Sequence, residues 1–298
     1  MTTRSHLISI LLATAALLVT TMWVQAAGSP ASPQAGTCLT CLGKPTSDID
    51  QNLALGAFRH IGGSLHQGSL PALFFVGLEG GGREPEDSWA IVKALEQFGT
   101  FGHLAAERPI CGSTGGVAWC SPPGFNLSRP AYRSRYVAFA SRYILNIDNK
   151  PFQAPTRAEL QFFSRYIYRV RSLNTLTAVN RLPSGTLPSI AVGGYLSPAL
   201  REITNGDFDG PYVGPTPTVC PASGCGIVRI FLGPTRPFAD IQQSLATGHP
   251  VDGLPASLIP DVNTAANIIT ALICHADGKK PASVCGRPVI KAILRAVK

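Results

Sequence analysis

Residues 71–99, PALFFVGLEGGGREPEDSWAIVKALEQFG, place a short apolar run, a triple glycine and an amphipathic segment in direct succession. Leu73-Phe74-Phe75-Val76 is too short and too β-rich for a helix, and reads as a central strand buried on both faces. From Trp89 the period becomes helical. Trp89, Val92 and Leu95 share one stripe, joined by Ile91 and Phe98. Pro85 suits a first helical turn, and Glu84, Glu86 and Asp87 favour the positive end of the helix dipole. Gly99 is expected as the C-terminal stop. A strand–turn–helix unit of this kind is where α/β folds place their chemistry.

The 298 residues suffice for one large domain or one domain with insertions. Charged residues make up only 14%, against roughly 25% in an average domain, and the chain holds 30 Gly and 25 Pro. Much of it must therefore be turns and irregular loops. The net charge of +8 comes from scattered Arg and Lys. It reads as a solvated basic surface rather than a nucleic-acid footprint.

Residues 1–26 read as an export signal, with Arg4 ahead of the acid-free apolar run Leu7–Val24 and a small-residue cleavage site near Ala26. The run is also long enough to stay as a membrane anchor. This implies an extracytoplasmic location (periplasmic, secreted or anchored). The eight cysteines of such a chain point to disulfides. They fall as neighbours, Cys38/Cys41, Cys111/Cys120, Cys220/Cys225 and Cys274/Cys285, and sequential pairing is the simplest connectivity.

Residues 27–49 form a small-residue linker containing Cys38 and Cys41, and the domain proper is expected over 50–298. Leu104–Ile110 is a second strand candidate, followed by a stapled loop between Cys111 and Cys120. Tyr132, Tyr136, Phe139 and Tyr143 alternate with basic residues, a pattern that fits a strand or, less well for an exported chain, base stacking. Thr156-Arg157-Ala158-Glu159 is a capping-box signature ahead of Leu160, Phe163, Ile167 and Val170. A strand is expected at Ser189–Val192, and a Gly/Pro-rich insertion near 205–235 with a short strand at Val228–Leu232. Three helices close the chain. One carries Ile241 and Leu245 and ends at Gly248. A longer one is capped by Asp261, and the last opens at Pro288.

Gly77-Leu78-Glu79-Gly80-Gly81-Gly82-Arg83-Glu84 nearly matches the phosphate-binding pattern G-x-x-x-x-G-K-[ST]. Arg83 and Glu84 replace the lysine and hydroxyl, and four acids would surround a polyphosphate, so phosphate binding is not expected. Cys38-Leu39-Thr40-Cys41 is the one C-x-x-C. It sits in a linker without a preceding strand, and no His follows Cys41 to make a haem site. Zinc on Cys38/Cys41 and Cys220/Cys225 would need distant loops to converge in an oxidising compartment. No metal and no cofactor are expected. His60, His66, His103, His249 and His275 are scattered, without a metal or hydrolase spacing.

Val76-Gly77-Leu78-Glu79, Trp89-Ala90, Ala94-Leu95 and Phe98-Gly99-Thr100-Phe101 resemble domain-of-unknown-function family 929, an exported thioredoxin-like group. The likeness extends through Tyr132–Phe139, Leu187-Pro188-Ser189-Ile190 and the C-terminal ALIC…PASVC. It implies an α/β, thioredoxin-like fold with a central mixed sheet flanked by helices, and a strand at 186–192 antiparallel to its neighbours. The family's C-P-x-C motif falls here on Gly81 and Glu84, and neither can attack a disulfide. Pro188 matches the cis-proline that docks a substrate backbone, although a Pro opening a strand would look the same. Two readings follow. One is an exported, non-catalytic binding or scaffold module for an extracytoplasmic protein or peptide, with no nucleic acid and with membrane contact only through an uncleaved leader. The other is a thiol–disulfide oxidoreductase working through Cys38/Cys41.

Overall fold

The structure is a computed structural model and describes residue 42 and residues 58–79, 84–107, 111–114, 117–120, 123–166, 187–197, 212–213 and 236–297. The expected leader at 1–26, Cys38, Cys41, Gly81, Cys220, Cys225 and the strand at 228–232 lie outside these residues. So do Ile167, Val170 and nearly all of the 205–235 insertion.

The apolar run forms the central strand, β3 (Leu70–Gly77), buried from Pro71 onward. On one side it pairs in parallel with β8 (Ala138–Tyr143) and on the other antiparallel with β9 (Ser189–Val192). β9 turns back into β10 (Tyr195–Ser197), and the link is Gly193-Gly194, both at positive φ, as a two-residue hairpin turn demands. Beyond β10 come β1 (Phe58–His60) and β11 (Tyr212–Val213), while the short β2 (His66–Gln67) folds onto the first residues of β3. The strand expected at Ser189–Val192 is thus present and antiparallel to both neighbours.

Alternation along β3 sends Leu73 and Phe75 to one face and Phe74 and Val76 to the other. Each face meets its own apolar layer. Leu73 and Phe75 join a cluster built on α1 (Glu84–Leu95) and α4 (Leu258–Ala276), together with Ile241 and Leu245 of α3 (Phe238–Thr247). Phe74 and Val76 meet Phe162 and Phe163 of α2 (Arg157–Tyr166). The result is a mixed α/β sheet between two helical layers. The capping box closes as expected: the Glu159 N–H donates to Thr156 Oγ1 at 3.3 Å, and the Thr156 N–H to Glu159 Oε2 at 2.7 Å. α5 (Ala282–Cys285) and α6 (Pro288–Ala296) pack behind α4, and Pro288 opens α6.

Three local expectations are corrected. Gly99 does not stop α1, which ends at Leu95. It opens β4 (Gly99–Ala106), where a Cβ would lie 2.2 Å from the Arg133 carbonyl oxygen. Close approach to the neighbouring strand, not a left-handed cap, is why glycine stands there. The strand drawn over Leu104–Ile110 begins five residues earlier and pairs with β7 (Phe125–Ser134) in a separate two-stranded ribbon. Asp261 does not cap α4 but lies buried in its first turn, three residues after the helix begins at Leu258. The stretch between Cys111 and Cys120 is a hairpin of β5 (Cys111–Thr114) and β6 (Val117–Cys120).

Candidate functional site

β3 ends at Gly77, and Glu84 is the first residue of α1. Its side chain folds back on the strand. The Leu78 N–H donates to Glu84 Oε1 at 3.0 Å, and a Cβ on Gly77 would sit 2.5 Å from Glu84 Cγ. The position the resemblance assigns to a second thiol is therefore occupied by a buried acceptor that joins strand end to helix start.

The first turn of α1 is also covered. Ser88 Oγ donates to the Pro85 carbonyl and accepts from the Phe125 N–H at 2.7 Å, while Trp89 Nε1 donates to the Pro123 carbonyl at 3.0 Å. A Cβ on Gly124 would come within 2.2 Å of the Pro85 oxygen. Residues 123–125 thus lie directly on the helix start, and Glu84, Glu86, Asp87 and Ser88 are buried beneath them. A thiolate needs an accessible, electropositive setting. Here three carboxyl groups occupy the first turn, and like charges oppose ionisation of a thiol.

Tyr143, opposite Gly77 in the β3–β8 register, belongs to the same buried region. Its hydroxyl donates to Glu107 Oε2 at 3.4 Å. Burial, with the Glu107 and Glu84 carboxylates, pushes this phenol well above its ordinary range. Tyr143 therefore stays a protonated donor toward the buried Glu107 side chain.

The Leu187–Pro188 bond is cis, and the next residue, Ser189, pairs with Val76. Pro188 thus comes alongside the end of β3, at the same end of the sheet as Glu84. A turn after β8 completes this rim. The Glu79 N–H donates to the Leu145 carbonyl at 3.0 Å, and the Ile147 N–H donates to Glu79 Oε2 at 3.2 Å. Ile147 and Phe152 are the exposed large apolar side chains among the described residues, at 49% and 37%. Leu78 and Leu187 are half-buried and pack on the Phe74–Phe162 layer.

Of the cysteines, Cys274 on α4 and Cys285 on α5 are bonded across a Cα–Cα distance of 5.7 Å and are buried. Cys111 is disulfide-bonded and stands opposite Cys120 in the β5–β6 register. Leu42, which follows Cys41 in the chain, is fully buried, and its carbonyl accepts from Lys93 Nζ. Lys93 also donates to the Leu245 carbonyl at 3.0 Å, one of the last carbonyls of α3. Burial pushes its ammonium group down to about 8, partly offset by the nearby Glu96. Lys93 lies nine residues into α1 from Glu84, roughly 13 Å along the axis at ~1.5 Å per residue.

His60 and His275 flank buried Tyr195, at ring-centroid distances of 5.0 and 6.0 Å. Burial, then His60 and Lys279, lower the His275 pKa from its usual value. No group of three potential metal ligands occurs among the described residues. None of their helices is long and apolar enough to cross a membrane.

Reading the residues alone missed Glu107, the rim of Ile147 and Phe152, and Lys93. Only Lys93 left a signal, since it lies four residues after Trp89 and therefore on the buried stripe. Comparison with protein-family models, with curated proteins and with solved structures gives no match.

Proposed function

We propose that this chain is a thioredoxin-like module akin to domain-of-unknown-function family 929, working outside the cytoplasm as a non-catalytic docking protein for an extended peptide. The observation that carries the reading is the strand order β8–β3–β9–β10, with β3 and β8 parallel, β9 and β10 antiparallel, and α1 and α4 on one face opposite α2. Its mixed sheet flanked by helices, with the strand at Ser189–Val192 antiparallel to its neighbours, supports the fold the resemblance implies. Within it the reactive position is held by Glu84, buried and tied to the Leu78 N–H, while residues 123–125 lie on the next residues of α1. Chemistry is absent from that corner, but a surface beside it persists. Ile147 and Phe152 are exposed in the turn after β8, Leu78 and Leu187 are half-buried, and Pro188, the position matching the family's backbone-docking proline, is buried at this end of the sheet.

The test uses the full chain and reduced, carboxymethylated α-lactalbumin as an unfolded probe. The protein is expected to bind the labelled probe in fluorescence anisotropy, and Ile147→Glu with Phe152→Glu to weaken binding at least tenfold. It is expected not to accelerate insulin reduction by dithiothreitol. Insulin reduction that disappears in Cys38→Ala/Cys41→Ala would replace this reading by the oxidoreductase one. Probe binding unchanged in the Ile147 and Phe152 variants would remove the docking surface.

A further inference from the structure

The β4–β7 ribbon carries positive charge that no acid among the described residues pairs with. Arg129, Ala131 and Arg133 fall on alternate positions of β7 and are all exposed, and exposed Arg135 follows in the bend after the strand. None of the three arginines makes an ion pair among the described residues. On β4, Thr100 stands opposite Arg133 and His103 opposite Ala131, and Thr100, Gly102, His103 and Ala105 are exposed as well. Neither strand contains an acid. Of the described acids, Glu84, Glu86, Asp87, Glu107, Glu159 and Asp261 are buried, whereas Asp148 and Asp252 are exposed.

The shape of the ribbon selects among anionic partners. Arg129 to Arg135 spans about 20 Å of extended chain at ~3.3 Å per residue. Ala131 stands between Arg129 and Arg133, and across the ribbon Thr100 is opposite Arg133 and His103 opposite Ala131, so the arginines lie along one exposed two-stranded surface. The aromatics that could stack on bases are turned inward. Phe101, Tyr132, Tyr136 and Phe139 pack on the core, and the Tyr132 hydroxyl donates to the Leu95 carbonyl at 2.8 Å. A single-stranded nucleic acid would find phosphate contacts but no stacking platform. The same chain contains the apolar run Leu7–Val24, which suits residence at a bilayer.

We propose that the β4–β7 ribbon docks on anionic phospholipid headgroups through Arg129, Arg133 and Arg135. Each guanidinium can fork onto phosphate or carboxylate oxygens, and a row of exposed arginines along one ribbon is complementary in charge to an anionic headgroup layer.

Cosedimentation of the full chain with vesicles tests this. Vesicles of phosphatidylcholine alone are compared with vesicles containing about 30% phosphatidylserine. Since a basic residue near an anionic surface is worth about fivefold in binding, phosphatidylserine should strengthen binding by about a hundredfold. The variant Arg129→Gln/Arg133→Gln/Arg135→Gln should lose that gain and keep its binding to neutral vesicles. The triple Arg→Lys variant should retain most of it. A control removing equal charge elsewhere, Lys150→Gln/Lys291→Gln/Arg295→Gln, should behave like the parent. An equal loss in the control would make the effect one of net charge and overturn the assignment. So would a ribbon variant that loses affinity for single-stranded oligo(dT) while its response to phosphatidylserine is unchanged.

Discussion

Raising the pH from 7 to 9.5 should stabilise this protein, and Lys93 should be the reason. Lys93 is 1% exposed, and its nitrogen is held by the Leu42 and Leu245 carbonyls. Burial lowers its pKa from 10.5 to about 8. Below pH 8 the native and unfolded chains both carry the proton, and the native state bears the cost of a buried charge. Between pH 8 and 10.5 the native lysine sheds the proton while the unfolded one keeps it. The unfolded state then binds more protons, so stability rises with pH. At ~1.4 kcal/mol per pH unit of separated titration, the rise between pH 7 and 9.5 comes to about 2 kcal/mol. The window closes near pH 10, because buried Tyr132 and Tyr143 have raised pKa values. Their unfolded counterparts ionise first and favour unfolding. Urea denaturation at half-unit pH steps measures the slope. The parent should rise by about 2 kcal/mol, and Lys93→Met, of similar length and without charge, should stay nearly flat. A parent without the rise, or a Lys93→Met variant that shares it, would refute the assignment of this titration to Lys93.

Other substitutions probe the packing of the same helix and the C-terminal layer. Gly124→Ala drives a Cβ to 2.2 Å from the Pro85 oxygen and should cost about 3 kcal/mol by thermal or chemical denaturation. Gly248→Ala, with φ +76° and nothing within 4 Å, should cost only about 1 kcal/mol. Cys274→Ser/Cys285→Ser opens a link of sequence separation 11 and should cost about 3 kcal/mol, measured against the oxidised parent in urea.

What could be read from the residues is what short-range chemistry determines. Leu73–Val76 had to be a buried strand, because a continuous β-rich apolar run has no other stable home. Pro85 and the acids after it marked a helix start, and Thr156 with Glu159 marked another, because unpaired N–H groups demand such partners. Errors arose where the reason for a residue lies across space. Gly99 looks like a cap until the Arg133 carbonyl is placed against it. Asp261 looks like a cap because acids favour first turns, and that preference does not locate the boundary. The ribbon strand β7 mixes Arg, Pro, Asn and Tyr, and it takes its place by turning Tyr132 onto α1 rather than by a simple alternation. For the site, the absence of cysteine at Gly81 and Glu84, where the resemblance would place two thiols, was visible in the sequence. The cover formed by residues 123–125, almost forty positions later, was not.

The burial of Leu42 also determines how this domain would bear a load. A pull transmitted along the chain from residues before Leu42 arrives at a side chain seated in the core and at a carbonyl held by Lys93. From there the force divides between α1 and, through the Leu245 carbonyl, the end of α3. Both helices rest on the buried face of the central sheet, so the tension enters at the middle of the molecule. If the apolar run ahead of this point held the protein at a surface, Leu42 and Lys93 would act as its cleat.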